Sequence, residues 1–417
     1  NGVRDRDIKY VDTLMSGIKL KRSILNKSKC EDLSEGVYGV IRKRFDKLPR
    51  KQVLYYGKKH GVSENALFIA AFNYCISMYS DEDEVFVNSI HSGRTDSRWN
   101  RIVGPLFETY YCKYDKVSHE KVEKLLKRTG KQIMETMKCL TSCPRQGEMF
   151  LQFQGDILET PQIGGENTER MHVQLDSLPF HLQVMYDDNG YYAELRFWEN
   201  RFDKKLLEIF LDVFESILLA MLDETSVRCL KEHLPQEVYP KHYYVNVSKL
   251  NKAAGSRIIS EEQSDEQIKV YVLDDDYSKK PYGAWGKAYI MDCEPINCAK
   301  IVQYPYGEGV LYDTGIIGRI LPDGTIDFLE NAGRTVLTDG IHGRKYYDLK
   351  LLEKYILEYG GVKDAECYLA YDPEINEMSL YADIKTDSAQ IDISGLKEFV
   401  RDKAGDDVFL KNVEIVQ

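Results

Sequence analysis

The first half of the chain changes its apolar period from helical to strand-like. Residues 63–79 begin at Ser63, a residue type that caps helices, and their apolar side chains recur at helical spacing, which predicts a buried helix. Residues 84–94 then alternate like a strand and end near Gly93, where backbone freedom permits a sharp exit. This part of the chain therefore mixes helices with strands.

A hairpin and a long helix follow. Residues 181–199 contain two alternating runs around Asn189-Gly190, a pair that tolerates positive φ and predicts a hairpin with a type I′ turn. Asp203 is placed to cap the next helix, whose apolar side chains recur on one face.

The second half divides into three stretches. Residues 233–267 show no sustained apolar period and end in a polar, acidic run, which is typical of a linker. Residues 268–340 contain short alternating runs separated by turn signals, which predict a β-rich segment. Residues 341–417 alternate helical and strand patterns, so they predict a small α+β unit. With 1–232 as the first domain, the overall fold class is α/β (α+β).

Length and charge narrow the function classes. A chain of 417 residues exceeds what one core usually serves, so two or more domains are expected. A formal net charge of −11 with interspersed signs disfavours nucleic acid and anionic membranes as partners. No apolar run reaches the length of about 20 residues that crosses a bilayer, and residues 1–10 lack a signal-peptide pattern, so a cytoplasmic location is expected.

The cysteines do not suggest a metal site. The nine cysteines are scattered, and free thiols in a reducing compartment explain them best. The close pairs, Cys139 with Cys143 and Cys293 with Cys298, lack the two-residue spacing and the second pair of a zinc site. We expect no metal.

Residues from about 30 to 232 resemble the C-terminal lobe of a nonribosomal peptide synthetase condensation domain. The matching stretches are GVSENALFIAAF (61–72), SIHSGR (89–94), IVGPLFETYYCKY (102–114) and the hairpin and helix that end in LKEHLP (230–235). The resemblance implies a chloramphenicol-acetyltransferase-like lobe, with two of these stretches beside the tunnel between lobes. The candidate tunnel residues are Ser92, Gly93, Arg94, Gly104 and Thr109.

The residues after the predicted linker resemble parts of an adenylation domain. VYVLDDDYSKKPYGAWGKAYI (270–290) is similar to the end of the family's large subdomain, and LYDTGIIGRILPDGTIDFLE (311–330) is similar to its "lYrTGDlgr..pDG.i.flG" segment. GVKDAECYLAYD (361–372), with the helix before it, looks like the small C-terminal subdomain. Condensation followed by adenylation is the order within one synthetase module.

The catalytic motif of the condensation family is missing. That family carries a His-His-x-x-x-Asp-Gly motif on its N-terminal lobe, and this chain has eight histidines but no adjacent pair. His91, His172 and His181 lie in strand-like contexts. Each is open to a tunnel-facing or a structural interpretation.

Residues that an ATP site needs are also missing. The chain has no Gly/Ser/Thr-rich loop to cradle a triphosphate. Where the family has an aspartate that accepts hydrogen bonds from the ribose hydroxyls, this chain has Ile316. The nucleotide-site remnants are then Tyr312, Thr314, Ile316 and Arg334, and Arg334 is either a nucleotide contact or a solvated loop residue. We expect the region to be incompetent for ATP.

Three functions are compatible with these features. The first is an architectural platform in peptide natural-product biosynthesis, inactive as an enzyme by itself. The second is the acceptor-side half of an active condensation enzyme whose His-containing N-lobe lies upstream or on a partner chain. The third is a stand-alone binding module. The expected partners are the N-lobe, a peptidyl carrier domain and other synthetase domains. No cofactor is expected in this chain, and phosphopantetheine would be carried by the partner carrier domain.

Overall fold

A computed structural model gives the fold of most of the chain. It describes residues 2–28, 37–91, 108–117, 120–139, 149–155, 162–163, 166–167, 178–240, 243–254, 258–260, 266–291, 295, 300–305, 307–329, 335–340, 343–375, 377–386, 391–405 and 408–416. The helices are α1 (Gly2–Met15), α2 (Arg50–His60), α3 (Glu64–Ser80), α4 (Val122–Thr136), α5 (Lys204–Asp223), α6 (Val247–Ala254), α7 (Leu349–Leu357) and α8 (Ile393–Ala404).

Strands form the other half of the regular structure. They are β1 (Lys19–Leu20), β2 (Tyr38–Arg44), β3 (Glu84–His91), β4 (Glu108–Asp115), β5 (Met149–Gly155), β6 (Gln162–Ile163), β7 (Glu166–Asn167), β8 (Phe180–Asp187), β9 (Gly190–Trp198), β10 (Tyr243–Asn246), β11 (Gln267–Leu273), β12 (Gly286–Met291), β13 (Lys300–Gln303), β14 (Val310–Ile320), β15 (Ile326–Phe328), β16 (Thr335–Gly340), β17 (Gly343–Asp348), β18 (Val362–Asp372), β19 (Glu377–Thr386) and β20 (Leu410–Ile415). The mixture confirms the predicted α+β class.

The first unit is a six-stranded mixed sheet in the order β2-β9-β8-β5-β3-β4. Helices α3 and α5 pack against each other and contribute their apolar side chains to the core on one side of this sheet. The predicted caps of both helices are confirmed, because Ser63 accepts a hydrogen bond from Ala66 N and Asp203 accepts from Lys205 N. This unit has the lobe-like form that the sequence predicts.

The hairpin of β8 and β9 is confirmed, but its predicted type I′ turn is wrong. The loop is Asp188-Asn189, and Asp187 pairs with Gly190 across its base. A type I′ turn needs positive φ at both loop residues, and Gly190 is the residue of this turn with positive φ, at 116°. The Asp187 carboxylate accepts a hydrogen bond from Asn189 N at 2.8 Å, which fixes the loop instead.

The second sheet has the order β10-β11-β12-β14-β13, with β15 paired to β14. Its helix α6 buries Val247 and Leu250 in a core shared with β14. Strand β10 and α6 fall within the predicted linker, so residues 243–254 are a correction to that prediction. Their apolar positions are too few to show a period, and they become buried only when β10 pairs with β11. The domain boundaries themselves stay a prediction.

The third sheet joins the two ends of the described chain. Its order is β1-β18-β19-β20, and Lys19 pairs with Ala370. Helices α7 and α8 pack on it, as their sequence patterns predict. Val11 and Met15 of α1 are buried in the same core, so residues before the lobe are part of the C-terminal unit's packing.

Candidate functional site

The face of the six-stranded sheet that points away from α3 and α5 carries polar side chains at its centre. Side chains alternate along a strand, so Leu182 and Val184 of β8 enter the helix-side core while His181 and Gln183 point to the opposite face. Both are buried, with 7% of His181 and 5% of Gln183 exposed. We call this opposite side of the sheet the polar face.

Strand register arranges the polar face in two rows. The first row crosses the sheet through Asn88, Phe150, His181 and Arg196. The second row crosses it through Gln152, Gln183, Glu194 and Arg42. Paired residues on adjacent strands lie side by side, so the two rows form one continuous surface.

Hydrogen bonds connect the centres of the two rows. Gln152 Oε1 accepts from Gln183 Nε2 at 3.2 Å and lies 3.1 Å from His181 Nε2. Since a carbonyl oxygen only accepts, His181 Nε2 carries the hydrogen and donates it. The imidazole of His181 also meets the ring of Phe150 edge-on, with ring centres 5.1 Å apart.

Two arginines neutralise the one carboxylate of these rows. Arg42 Nε lies 2.8 Å from Glu194 Oε2, and Arg196 Nη2 lies 2.8 Å from Glu194 Oε1. Burial raises the pKa of Glu194, but the hydrogen bonds from Arg42 and Arg196 outweigh it, so the pKa lies below its usual value. With two guanidinium groups and one carboxylate, the rows carry one net positive charge.

Most of the predicted tunnel residues cannot be placed. Ser92, Gly93, Arg94 and Gly104 lie outside the described residues, as does His172. Thr109 lies on β4 opposite Ile90 of β3, and because Tyr110 enters the helix-side core, Thr109 is on the polar face. Its role beside a tunnel stays a prediction.

The predicted nucleotide-site remnants lie on β14, where the strand bulges. The pairing of β14 with β12 shifts register between Lys287 and Tyr289, and Gly315 has φ of 70° within the bulge. Thr314 Oγ1 donates to Ala288 O at 2.6 Å, so this hydroxyl serves the backbone. The sequence pattern predicts two separate short strands here, at 309–315 and 318–324, but the structure has one continuous β14.

Ile316 is a core residue of this second sheet. It is 5% exposed and belongs to the cluster that contains Leu250 of α6, while Tyr312 is half-buried against the same cluster. Arg334 lies outside the described residues. Tyr312, Thr314 and Ile316 thus share a strand, but none presents a free acceptor where an aspartate would stand in the resemblance.

A buried contact that the sequence did not reveal joins the first two sheets. Arg319 of β14 donates to Asn26 O at 2.9 Å and to Asn26 Oδ1 at 3.0 Å, and it pairs with Asp327 Oδ2 at 2.9 Å. Its guanidinium lies 4.6 Å from the ring centre of Trp285, whose Nε1 donates to Ser23 O at 2.8 Å. We call these residues the joint. The unusual Trp285 between small residues was the one local signal for it.

Other kinds of site are not apparent in the described ranges. There, no group of three or more His, Cys, Asp or Glu side chains could hold a metal ion. The described cysteines are free thiols: Cys75, Cys112, Cys139, Cys229 and Cys367. Within the same ranges, no helix has both the length and the apolar character needed to cross a membrane.

Comparisons with known proteins agree with this architecture. No family model matches the chain. Surfactin synthase subunit 3 of Bacillus subtilis (strain 168) is 36% identical over 107 residues, which are 23% of this chain and 8% of that protein. The crystal structure of a holo four-domain nonribosomal peptide synthetase bound to AMP and glycine matches 99% of this chain and 56% of its own, with a TM-score of 0.61 and 10% identity. The chain thus spans only part of either relative.

Proposed function

Because the chain has the condensation-like and adenylation-like folds of a nonribosomal peptide synthetase, we propose that it is a platform segment of such a protein. In this role, a condensation half-domain is joined to an adenylation remnant that does not turn over ATP. Its partners are a condensation N-lobe, a peptidyl carrier domain and other synthetase domains. The platform serves peptide natural-product biosynthesis in the cytoplasm.

The observation that carries this proposal is the joint. Trp285 and Leu321, from the adenylation-like sheet, are buried in the core of the condensation-like lobe. Arg319 is fully buried and bonded to Asn26 on the lobe side. A contact with a shared core and buried polar bonds favours one fixed orientation, since large hydrophobic interfaces suppress relative domain motion. A fixed orientation is what a platform requires.

The burial of Ile316 supports the absence of ATP turnover. An aspartate at this position would place a carboxylate among aliphatic side chains, which costs several kcal/mol unless the group is paired. The core around α6 therefore needs an apolar residue where nucleotide binding would need an acceptor.

An amino-acid-dependent ATP–pyrophosphate exchange assay tests the platform proposal. We expect exchange by the full chain to equal that of a heat-denatured sample with every amino acid supplied. An active adenylation enzyme run in parallel shows that the assay works. Exchange that rises above background with any one amino acid would refute the claim.

A second candidate function is favoured by the polar face. Here the chain is the acceptor-side half of an active condensation enzyme, and an N-lobe supplies the His-His-x-x-x-Asp-Gly motif. Phosphopantetheine on a partner carrier domain would present the thioester. The test is amide-bond formation between carrier-bound substrates when such a lobe, encoded upstream or by a neighbouring gene, is added to the chain. Product that forms only with both components supports this function, and no product with a folded lobe contradicts it.

A further inference from the structure

The outward side of helix α2 combines apolar and basic side chains. On its inward side, Val53 is buried in the core of the lobe and Tyr56 packs against that core. The opposite side is a row of four exposed side chains at helical spacing: Lys51, Leu54, Tyr55 and Lys58. Its two apolar members are strongly exposed, Leu54 to 43% and Tyr55 to 69%. We call these four residues the basic stripe.

The positive charge of α2 is not balanced within the helix. The helix contains arginine and lysine but no aspartate or glutamate. Arg50 pairs with Glu64 of α3 at 3.2 Å, whereas Lys51 and Lys58 have no carboxylate partner within the described ranges. A cation in the first turn opposes the helix dipole, so Lys51 does not stabilise the helix. The basic stripe is therefore a local positive surface on a chain whose net charge is −11.

Helix α4 shows how an ordinary solvated face of this lobe is built. Its exposed Lys127 and Lys131 each have a glutamate four residues away, with Lys127 Nζ 2.6 Å from Glu123 Oε1 and Lys131 Nζ 3.7 Å from Glu135 Oε1. Such pairs balance the charge of the helix that carries them. Since α2 contains no acidic residue, the carboxylates that complement its lysines have to come from a partner.

The dimensions of the basic stripe decide which anionic partner fits. Its helix of 11 residues is about 16 Å long, which supports only a small and transient interface. A membrane or a nucleic acid is an extended anionic surface and would be repelled by the rest of the chain. Two apolar side chains are also too few for a helix that lies in a membrane. A short acidic protein segment contacts the stripe alone, because salt screens charges beyond about 8–10 Å.

We propose that the basic stripe docks an acidic segment of a partner protein. Carboxylates of the segment pair with Lys51 and Lys58, and an apolar side chain between them packs on Leu54 and Tyr55. The apolar contact supplies most of the affinity, and the ion pairs fix the orientation of the segment. The inference goes beyond the platform proposal and does not depend on the joint.

The test measures peptide binding to the full chain by fluorescence anisotropy. The probe is a labelled peptide of about twelve residues that repeats two glutamates and two leucines, and the comparison peptide has glutamine in place of each glutamate. We expect the glutamine peptide to bind about three- to tenfold more weakly, the effect of losing two exposed ion pairs. Binding of the glutamate peptide should also weaken as salt is raised.

Matched variants locate the site. Lys51→Gln/Lys58→Gln and Lys127→Gln/Lys131→Gln remove the same charge, the first from the basic stripe and the second from α4. We expect the first to lose about three- to tenfold in affinity for the glutamate peptide and the second to bind like the parent chain. Tyr55→Ala should lose about fivefold. Thermal melting checks folding, which substitutions at these exposed positions should leave nearly unchanged.

Four results would overturn the inference: no binding of the glutamate peptide, equal binding of both peptides, equal losses in the two double variants, or unchanged affinity in Tyr55→Ala. Binding to phosphatidylserine vesicles that Lys51→Gln/Lys58→Gln abolishes would also overturn it, because the stripe would then serve a membrane. None of these results would touch the platform proposal, which the exchange assay tests separately.

Discussion

Replacing Arg319 with methionine is the most direct test of the joint. The Arg319 side chain is fully buried, and its pair with Asp327 involves a carboxylate whose side chain is only 12% exposed. Methionine fills much of the same space but supplies no donor. The substitution therefore leaves the Asp327 carboxylate and the Asn26 oxygens without their partner.

The size of the effect follows from that burial. Removing one member of a buried ion pair costs about 3–5 kcal/mol, mainly because the other charge stays buried and uncompensated. Arg44→Met is the matched control, since Arg44 also contacts a carboxylate, that of Asp187, through two nitrogens at 2.9 and 2.8 Å. The side chains of Arg44 and Asp187 are both about two-fifths exposed, so this ion pair contributes at most about 1 kcal/mol to stability.

Urea unfolding of the full chain measures both variants. Tryptophan fluorescence reports on the three tryptophans of the chain, of which Trp285 lies in the joint, and far-UV circular dichroism reports on the whole fold. Coincident transitions justify a single free energy of unfolding. The double variant Arg319→Met/Asp327→Asn should recover about 1–2 kcal/mol of the loss, because no charge remains stranded.

The reasoning would be refuted by two results. One is a loss in Arg319→Met no larger than the loss in Arg44→Met. The other is a double variant less stable than Arg319→Met alone, because that would mean that Asp327 does not depend on Arg319.

Three further predictions follow from burial and charge. Ile316→Ala should lower the free energy of unfolding by about 2–5 kcal/mol and Ile316→Val by about 0.5–1.5, because Ile316 is in the core; equal losses in urea unfolding would contradict this. Met15→Ala should cost about 2–5 kcal/mol and Met134→Ala, at a 60% exposed position, less than about 0.5; similar melting temperatures for the two variants would count against it. Glu194→Gln should cost about 1.5–3 kcal/mol at neutral pH. Since folding lowers the pKa of Glu194, the stability contributed by its carboxylate is present above the unfolded pKa of 4.5 and disappears as pH falls through the folded pKa. A difference in stability between Glu194→Gln and the parent chain that persists at the acid end of a pH series would refute this prediction.

Local sequence patterns predicted the elements that are stabilised by residues close to them in sequence. Helices α3 and α5 were predicted from their caps and apolar faces, and the β8–β9 hairpin from its alternation. The predicted turn type was wrong because the Asp187 side chain fixes the loop through a hydrogen bond, which the dipeptide Asn189-Gly190 does not reveal. The sequence also separated β14 into two strands at Gly315, since a bulge looks like a turn when the partner strand is unknown.

Long-range pairing accounts for what the sequence could not predict. Arg319 and Asn26 are 293 positions apart, and no local period relates them. The polar face was equally hidden, because His181 and Gln183 become neighbours of Gln152 only through the register of two parallel strands. The resemblance predicted that Ile316 replaces a hydrogen-bond acceptor. Its burial against α6 was not predicted, because the residues of α6 were assigned to the linker.

The pairing of β1 with β18 also sets an order of events during synthesis. Residues 19–20 leave the ribosome about 350 residues before their partners at 369–370. At roughly 5–20 residues per second, that interval is about 20–70 seconds. Through this time Val11 and Met15 of α1 lack the strands of the third sheet, although Phe86 and Tyr111, which lie in the same core, are made well before those strands. Residues 2–20 therefore depend on strands that are made long after them, and a chaperone would have access to them during this interval.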